Sequence, residues 1–359
     1  MKLEVEAFSL TLKRPLRTAR GELARREGWR VALRTAKTIG RGEAMPWPAF
    51  GTETPEAAEQ ALRSFELSKV TGSVEEVREA IAGLGQTPAA RFAVEAALLE
   101  HLARSRELSV ARLLGESIPA FAAASTPSQV RTGTLLDSEA PEKLAAEAAS
   151  AVGAGFRTLK VKVAARAPSD DEARLRAVRE AVGKDVRLRI DANGGWTEEQ
   201  AREALRRLGS VALELCEQPV PALAFEALRR LRGQVPCAIA ADEALLQAGA
   251  AESLLAGSHP AVDVVVLKPV ALGGLLVALD LAQRARAVGV AAFVTTMLDG
   301  PIATAAAAHL AALLDSSDGC GPAHGLATGA LFVESASHPS LRVEGGRVAI
   351  PDVPGWGVT

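Results

Sequence analysis

Three acids and a lysine recur in this chain one structural unit apart. Asp191 ends the run VRLRID, Glu217 ends ALELCE, Asp242 ends AIAAD and Lys268 ends VDVVVLK, at separations of 26, 25 and 26 residues. Each run reads as an apolar strand, so the repeat sets all four side chains at the carboxyl ends of successive strands. Any one of these acids alone would read as a helix cap or a solvated loop residue. Three in a row, brought to one rim, repel one another strongly unless a cation lies between them. Oxygen donors without histidine or cysteine favour Mg2+ over Zn2+, with Mn2+ as an alternative. A second pair, Lys160 and Lys162 in TLKVKV, lies two apart on one strand and therefore on one face. Ammonium groups this close, beside a metal ion, depress one another's pKa, which allows one to act as a neutral base. Lys268 offers a further ammonium on the far side of the ion.

The elements that must carry these residues follow from periodicity. Residues 1–35 alternate as strands, with LEVEAFSLTL and WRVALRT joined by the arginine-rich PLRTARGELARREG. PEAAEQALRSFEL and RFAVEAALLEHLARS then show helical spacing. From about residue 128 short strands alternate with amphipathic helices, beginning at QVRTGTLL and ending at CGPAHGLA, about eight units in roughly 200 residues. This predicts a (β/α)8-type barrel over 121–330 with an α+β capping domain over 1–120, to which residues 331–359 return as a short hairpin. A doubly wound sheet would call for a glycine-rich loop after its first strand, and none is present. In a closed barrel the two lysines cannot be solvent-facing residues of an edge strand.

Composition limits the partners. With 359 residues, 48% of them hydrophobic, and a formal net charge of -2, the chain can bury a large core and offers no basic face to nucleic acid or anionic membranes. Cys216, Cys237 and Cys320 lie far apart without CxxC spacing, so neither a disulfide framework nor a zinc site is expected. The amino terminus lacks a signal-peptide core and no alanine-rich stretch reads as membrane-spanning, which points to a cytoplasmic protein. The expected partner is a small-molecule carboxylate; a homo-oligomer is left open.

At the lysines and the acid ladder the sequence resembles the enolase superfamily, specifically its muconate-lactonizing-enzyme subgroup. That subgroup carries a KxK motif on the second barrel strand, matched by Lys160 and Lys162. It then has Asp, Glu and Asp metal ligands, matched by Asp191, Glu217 and Asp242, and a sixth-strand lysine, matched by Lys268. DANGGW, EQP, ADEA and LKPVALGG also look like the family, and the likeness covers essentially the whole chain. The resemblance implies an enolase-like modified TIM barrel in which Lys162 takes the proton alpha to a carboxylate. Lys160 then lowers the pKa of Lys162 and contacts that carboxylate, while Mg2+ stabilises the enediolate. Asn193 is implied to support the metal or the substrate, with Glu243 a weaker ligand candidate than Asp242. Gly273, in LKPVALGG, joins the substrate-binding set.

Three activities of the subgroup compete: o-succinylbenzoate synthesis by dehydration, dipeptide epimerisation or N-succinylamino acid racemisation, and muconate cycloisomerisation. PLRTARGELARREGW and GEAMPWPAFGTET look like the synthase's specificity loop and glycine-phenylalanine segment, although Ala49 stands where a glycine is expected. Epimerases are expected to carry an Asp-x-Asp pair late in the barrel, and Asp315 and Asp318 are wrongly spaced for it. The synthase, a menaquinone-pathway lyase, is therefore the favoured expectation. Arg17 and Arg20 are candidates to hold a succinyl carboxylate bidentately, against solvated loop arginines. Asp299 reads either as a substrate-binding acid or as the N-cap of the alanine-rich helix that follows. His309 reads as structural and His324 as a weak pocket candidate; Trp29 and Trp47 are expected to pack the cap, with Phe50 at the rim. A barrel that has lost activity and serves as a binding protein is the alternative of another class, but its ladder should be damaged, and this one is complete.

Overall fold

Alternating polarity at the amino end makes β1 (Glu4–Thr18) and β2 (Gly21–Arg34), which pair antiparallel, with β3 (Ile39–Ala44) on the other side of β2. These features come from a computed structural model that describes residues 2–18, 21–67, 72–121, 126–318, 321–333 and 339–358; side chains 16–18, 21, 22, 316–318 and 339 are not described. The ladder slips between Thr11 and Leu16 and then resumes, so the arginine-rich stretch is itself largely strand. Four helices follow: α1 (Pro55–Ser64), α2 (Val74–Ala80), α3 (Pro88–Ser105) and α4 (Val110–Ser117). Proline at the first turn of α1 and α3, and the Ser73, Ser109 and Thr54 side chains on backbone amides, set their starts.

The chain then alternates: β4 (Gln129–Arg131), β5 (Thr134–Leu136), α5 (Pro141–Gly153), β6 (Thr158–Lys162), α6 (Pro168–Val182), β7 (Arg187–Asp191), α7 (Glu198–Arg207) and β8 (Leu215–Glu217). It continues through α8 (Phe225–Leu231), β9 (Ala238–Ala241), α9 (Ala250–Leu255), β10 (Val264–Leu267), α10 (Pro269–Leu272), α11 (Leu275–Ala287), β11 (Ala291–Val294) and α12 (Pro301–Asp318). A hairpin, β12 (Val343–Glu344) and β13 (Arg347–Ala349), pairs with β4, and the tail beyond it reaches the cap, where Trp356 Nε1 donates to Arg41 O.

Strands β5 to β11 form one parallel sheet in sequence order. The eighth stave is only a short extended piece: His324 bridges to Thr132 and Gly325 to Thr295, both parallel, which closes the curl. Side chains supplement so short a ladder. Thr132 Oγ1 donates to His324 O at 3.1 Å, and Arg189 Nη1 donates to Ala323 O at 2.7 Å from across the barrel. Gly325 has to be glycine, since a Cβ there would lie 2.5 Å from Thr295 Oγ1. The result is a (β/α)8-type barrel with an α+β capping domain. Its lower interior is filled by Leu215, Ala240, Val264, Val266 and Phe293, leaving the polar residues to the upper end. No helix among the described residues is long and apolar enough to cross a membrane.

Buried glutamates dock the cap onto the barrel. Glu95 of α3 accepts from the amides of Leu275 and Leu276 at the start of α11 (2.5 and 3.2 Å). Glu43 of β3 accepts from Ile302 and Ala303 at the start of α12 (2.9 and 3.2 Å). The N-cap reading of Asp299 is thereby corrected, because Asp299 turns back to accept from Met297 N at 2.8 Å and Glu43 takes the helix end. Burial pushes the Glu95 carboxyl up to about 7, against the opposing pull of Arg91 and the two amides. A carboxyl at about 7 folded and 4.5 unfolded binds its proton more tightly in the native state. Its contribution is therefore complete below the unfolded value and is lost as pH rises through 7. Glu95→Gln should remove this slope, worth roughly 3 kcal/mol at order-of-magnitude level. Denaturant titrations at pH 5 and pH 8 measure it; a wild-type decline no steeper than that of the variant would refute the assignment.

Candidate active site

The barrel ladder aligns three of the expected residues, and Asp242 and Lys268 follow directly on the ends of β9 and β10. Lys162 pairs in register with Asp191, and Asp191 with Glu217, so three neighbouring strands present them in one row. Lys160 lies one row below with Arg189, and its ammonium rises to Asp191 Oδ2 at 2.8 Å and Glu217 Oε1 at 2.7 Å. The Lys268 ammonium pairs with Asp242 Oδ2. Among the described residues the Lys162 ammonium makes no ion pair or hydrogen bond. Its strand end is held through the backbone instead: Arg174 Nη1 donates to Lys162 O at 3.1 Å and to Asp171 Oδ1 at 2.9 Å.

The strand-end loops are equally fixed. The Gln218 side-chain oxygen accepts from Asp242 N and Ala244 N, both at 3.0 Å, and so ties the Glu217 turn to the Asp242 turn. Asn193, in the left-handed region at φ 44, donates from its backbone to Asp191 Oδ1 and from Nδ2 to Glu243 Oε1, each at 3.0 Å. Glu243 thus turns toward the same group although it neighbours Asp242 in the chain.

Charge in this cluster is nearly balanced by lysine. Burial alone would raise Asp191, but the Lys160 and Lys162 ammoniums outweigh it and hold Asp191 below the ordinary carboxylate range. For Glu217 burial wins over Lys160 and pushes the carboxyl up to about 7; for Asp242 burial wins over Lys268 and pushes it up to about 6. Lys160 and Lys268 are both raised, because their carboxylate partners overcome the cost of burial. Among the described residues no three His, Cys, Asp or Glu side chains close on a common point, since the ammoniums are seated between the acids. The donors nevertheless fit a hard divalent cation. Among the described residues Glu217 Oε2, Asp242 Oδ1 and Glu243 Oε2 are buried without a hydrogen-bond partner, an arrangement that costs free energy unless a cation uses them.

Above the cluster lies a cavity of about 200 Å³ between barrel and cap. Trp47 and Phe50 form its cap wall, with ring centres 4.5 Å apart and Phe50 4.8 Å from the Lys268 ammonium. Trp47, expected to pack the cap, therefore also faces the pocket, while Trp29 stays in the core. Met297, Leu298, Leu135 and Phe293 supply apolar barrel walls. Thr295, Thr296 and Arg189 also line the cavity and were not singled out from sequence. Arg189 was within reach, because period-2 alternation puts it on the face of Asp191.

The remaining candidates divide. His324 lines the cavity, but Val294 N donates to its Nδ1 at 3.0 Å and its Nε2 faces Asp315 Oδ1 at 3.2 Å, so both ring nitrogens are engaged. His309 is structural, bonded to Ala111 N and Trp356 O, and burial lowers it to about 4. Asp299 lies behind the wall, next to Leu298. Gly273 is not on the cavity; its carbonyl accepts from Arg91 of the cap. The Arg17 side chain and Arg20 lie outside the described residues, as does Cys320. Cys216 is buried, Cys237 half-buried, and neither lines the cavity.

Comparison with known proteins shows the family and the fold. Residues 143–359 match the family described as Enolase C-terminal domain-like, and residues 2–101 match that described as MenC, N-terminal domain. A chloromuconate cycloisomerase of Cupriavidus necator is 32% identical over 333 residues, covering 88% of this chain and 86% of the relative. A hydrophobic dipeptide epimerase of Enterococcus faecalis is 32% identical over 323 residues, covering 87% and 86%. The crystal structure of the Enterococcus faecalis V583 dipeptide epimerase with Mg and L-Leu-L-Tyr superposes at a TM-score of 0.87 and 26% identity, covering 99% of this chain and 98% of that one.

Proposed function

The chain belongs to the enolase superfamily, in its muconate-lactonizing-enzyme subgroup, and from that premise we propose a Mg2+-dependent enzyme that removes the proton alpha to a carboxylate, with o-succinylbenzoate synthesis by dehydration as its reaction. One observation carries the choice of substrate class. The described cavity lining holds four cations, Lys160, Lys162, Lys268 and Arg189, while its only carboxylates are Asp191 and Glu217, both assigned to the metal. An anionic acid with an apolar body suits such a lining. The α-ammonium of a dipeptide would find no free carboxylate there.

The roles follow from how each side chain is held. Lys162, whose ammonium no acid among the described residues clamps, is the base that takes the alpha proton. Lys160 and Lys268 stay charged and oppose the negative charge that builds on the substrate carboxylate. Asp191, Glu217 and Asp242 would hold Mg2+, with Asn193 and Glu243 beside them. When bound, the ion supplies Lewis-acid stabilisation of that same charge. In a dehydration Lys162 can return its proton to the departing hydroxyl, so one base suffices. Arg17 and Arg20 remain proposed ligands of a substrate carboxylate, whereas Asp299, buried and off the cavity lining, is not one. A second reading, cycloisomerisation, draws on the 32% identity to the chloromuconate cycloisomerase and would use the same half-site.

Purified protein with Mg2+ should convert 2-succinyl-6-hydroxy-2,4-cyclohexadiene-1-carboxylate to o-succinylbenzoate, with weaker racemisation of N-succinyl amino acids. Assayed beside muconate and Ala-Glu, the absence of o-succinylbenzoate together with epimerised dipeptide would overturn the choice. Failure to exchange any alpha proton with deuterium would instead indicate an inactive barrel.

A further inference from the structure

The cavity's apolar wall is built by two stretches far apart in the chain, Trp47 and Phe50 ahead of α1, and Met297 and Leu298 beyond β11. One side chain joins them. Arg26 of β2, 4% exposed, donates from Nη2 to Met45 O at 2.6 Å, from Nη1 to Pro46 O at 3.1 Å and from Nε to Leu298 O at 3.4 Å. Its guanidinium carbon also lies 4.6 Å from the centre of the Trp47 ring. Burial lowers Arg26 to about 10 against the pull of Asp299, so it remains charged at neutral pH. Three carbonyls and an aromatic face around one cation call for the planar fork of arginine; a lysine would satisfy fewer of them and lose the stack.

Glu43 locks the same strand end from behind. It precedes Ala44 and Met45 and is fully buried on the start of α12 through a notch at Gly300, where a Cβ would lie 2.4 Å from Glu43 Oε2. Arg30 Nε donates to its other oxygen at 3.3 Å. Cap wall and barrel wall are thus fastened twice, once by Arg26 to Leu298 and once by Glu43 to the helix that follows it.

We propose that Arg26, backed by Glu43, is a positioning residue for the substrate: it holds the Trp47–Phe50 wall against the Met297–Leu298 wall and so sets affinity and selectivity for the substrate's apolar body without touching the reacting atoms. For the substrate this rests on the function proposed above; for the wall it rests on the contacts alone.

The test uses the full-length chain carrying Arg26→Met, with two readouts. Amide hydrogen exchange over 44–50 and 296–300 should speed up at least tenfold, while 158–162 and 187–191 keep wild-type rates. KM for the dehydration substrate should rise at least tenfold, with kcat within about threefold. Unchanged protection at both stretches, uniform loosening of the whole chain, or a loss confined to kcat would overturn the proposal. If Arg26→Met does not fold, Gly300→Ala and Glu43→Ala carry the test. Each should raise KM, and the double variant no further than the larger single effect, because both dislodge the same carboxylate; additive or absent effects would overturn the proposal. A wild type that makes no o-succinylbenzoate, combined with faster local exchange in Arg26→Met, would sink the functional reading and leave the wall assignment standing.

Discussion

Lys162→Ala is expected to lower alpha-proton exchange by about 10²–10⁴-fold, the usual contribution of a positioned base. The argument rests on the difference between two lysines on one strand. Lys160 is clamped by Asp191 and Glu217 and is kept charged by them, so it cannot readily give up a proton. Lys162 shares the face but has no such clamp among the described residues, and it lines the cavity. Its removal leaves the carboxylates untouched, so magnesium affinity by calorimetry should stay near wild type while exchange in deuterated water falls by that factor. Lys268→Arg supplies the complementary test. A guanidinium keeps the charge but does not readily release a proton, so dehydration should persist in part while racemisation, in which the charged Lys268 would have to deliver a proton to the opposite face of the alpha carbon, is lost. Exchange by Lys162→Ala within tenfold of wild type, or equal racemisation by wild type and Lys268→Arg, would refute this division of roles.

Asp191→Asn, Glu217→Gln and Asp242→Asn should each abolish turnover and weaken Mg2+ binding beyond the roughly 10–100-fold that loss of an outer partner typically costs. Asp242 and Glu217 each leave a buried oxygen with no partner among the described residues, and Asp191 lies in register between Lys162 and Glu217. Neutralising a carboxyl that burial already pushes up to about 7, as at Glu217, removes a charge that is costly in the metal-free protein. The fold should therefore survive in Glu217→Gln and Asp242→Asn, with circular dichroism unchanged, whereas Asp191→Asn removes a carboxylate that Lys160 and Lys162 favour and should lower stability. Calorimetric titration of Mg2+ into each variant measures the loss, and full activity of the wild type in a strong chelator would sink the metal assignment.

The chemistry of the rim was legible because strand geometry is periodic. An inward residue at a strand end recurs once per β/α unit, so the positions of Asp191, Glu217, Asp242 and Lys268 along the chain were enough to place them together. The same alternation gave Lys160 and Lys162 one face, and composition and rhythm gave the barrel with its cap. Spacing could not tell which lysine the acids would hold, because that depends on how far each side chain reaches across neighbouring strands. Nor could it show that Glu43, rather than Asp299, takes the start of α12, since the partner lies more than 250 residues away in the chain. Gly273 was assigned to the substrate on its motif alone, yet its carbonyl faces Arg91, because the turn after β10 packs against α3. What the sequence determined by itself was the set of reacting groups, which repeat with the local geometry of a strand. The tertiary structure alone decided how the cap meets the barrel, because the bonds of Arg26, Glu43 and Glu95 join surfaces that only folding brings together.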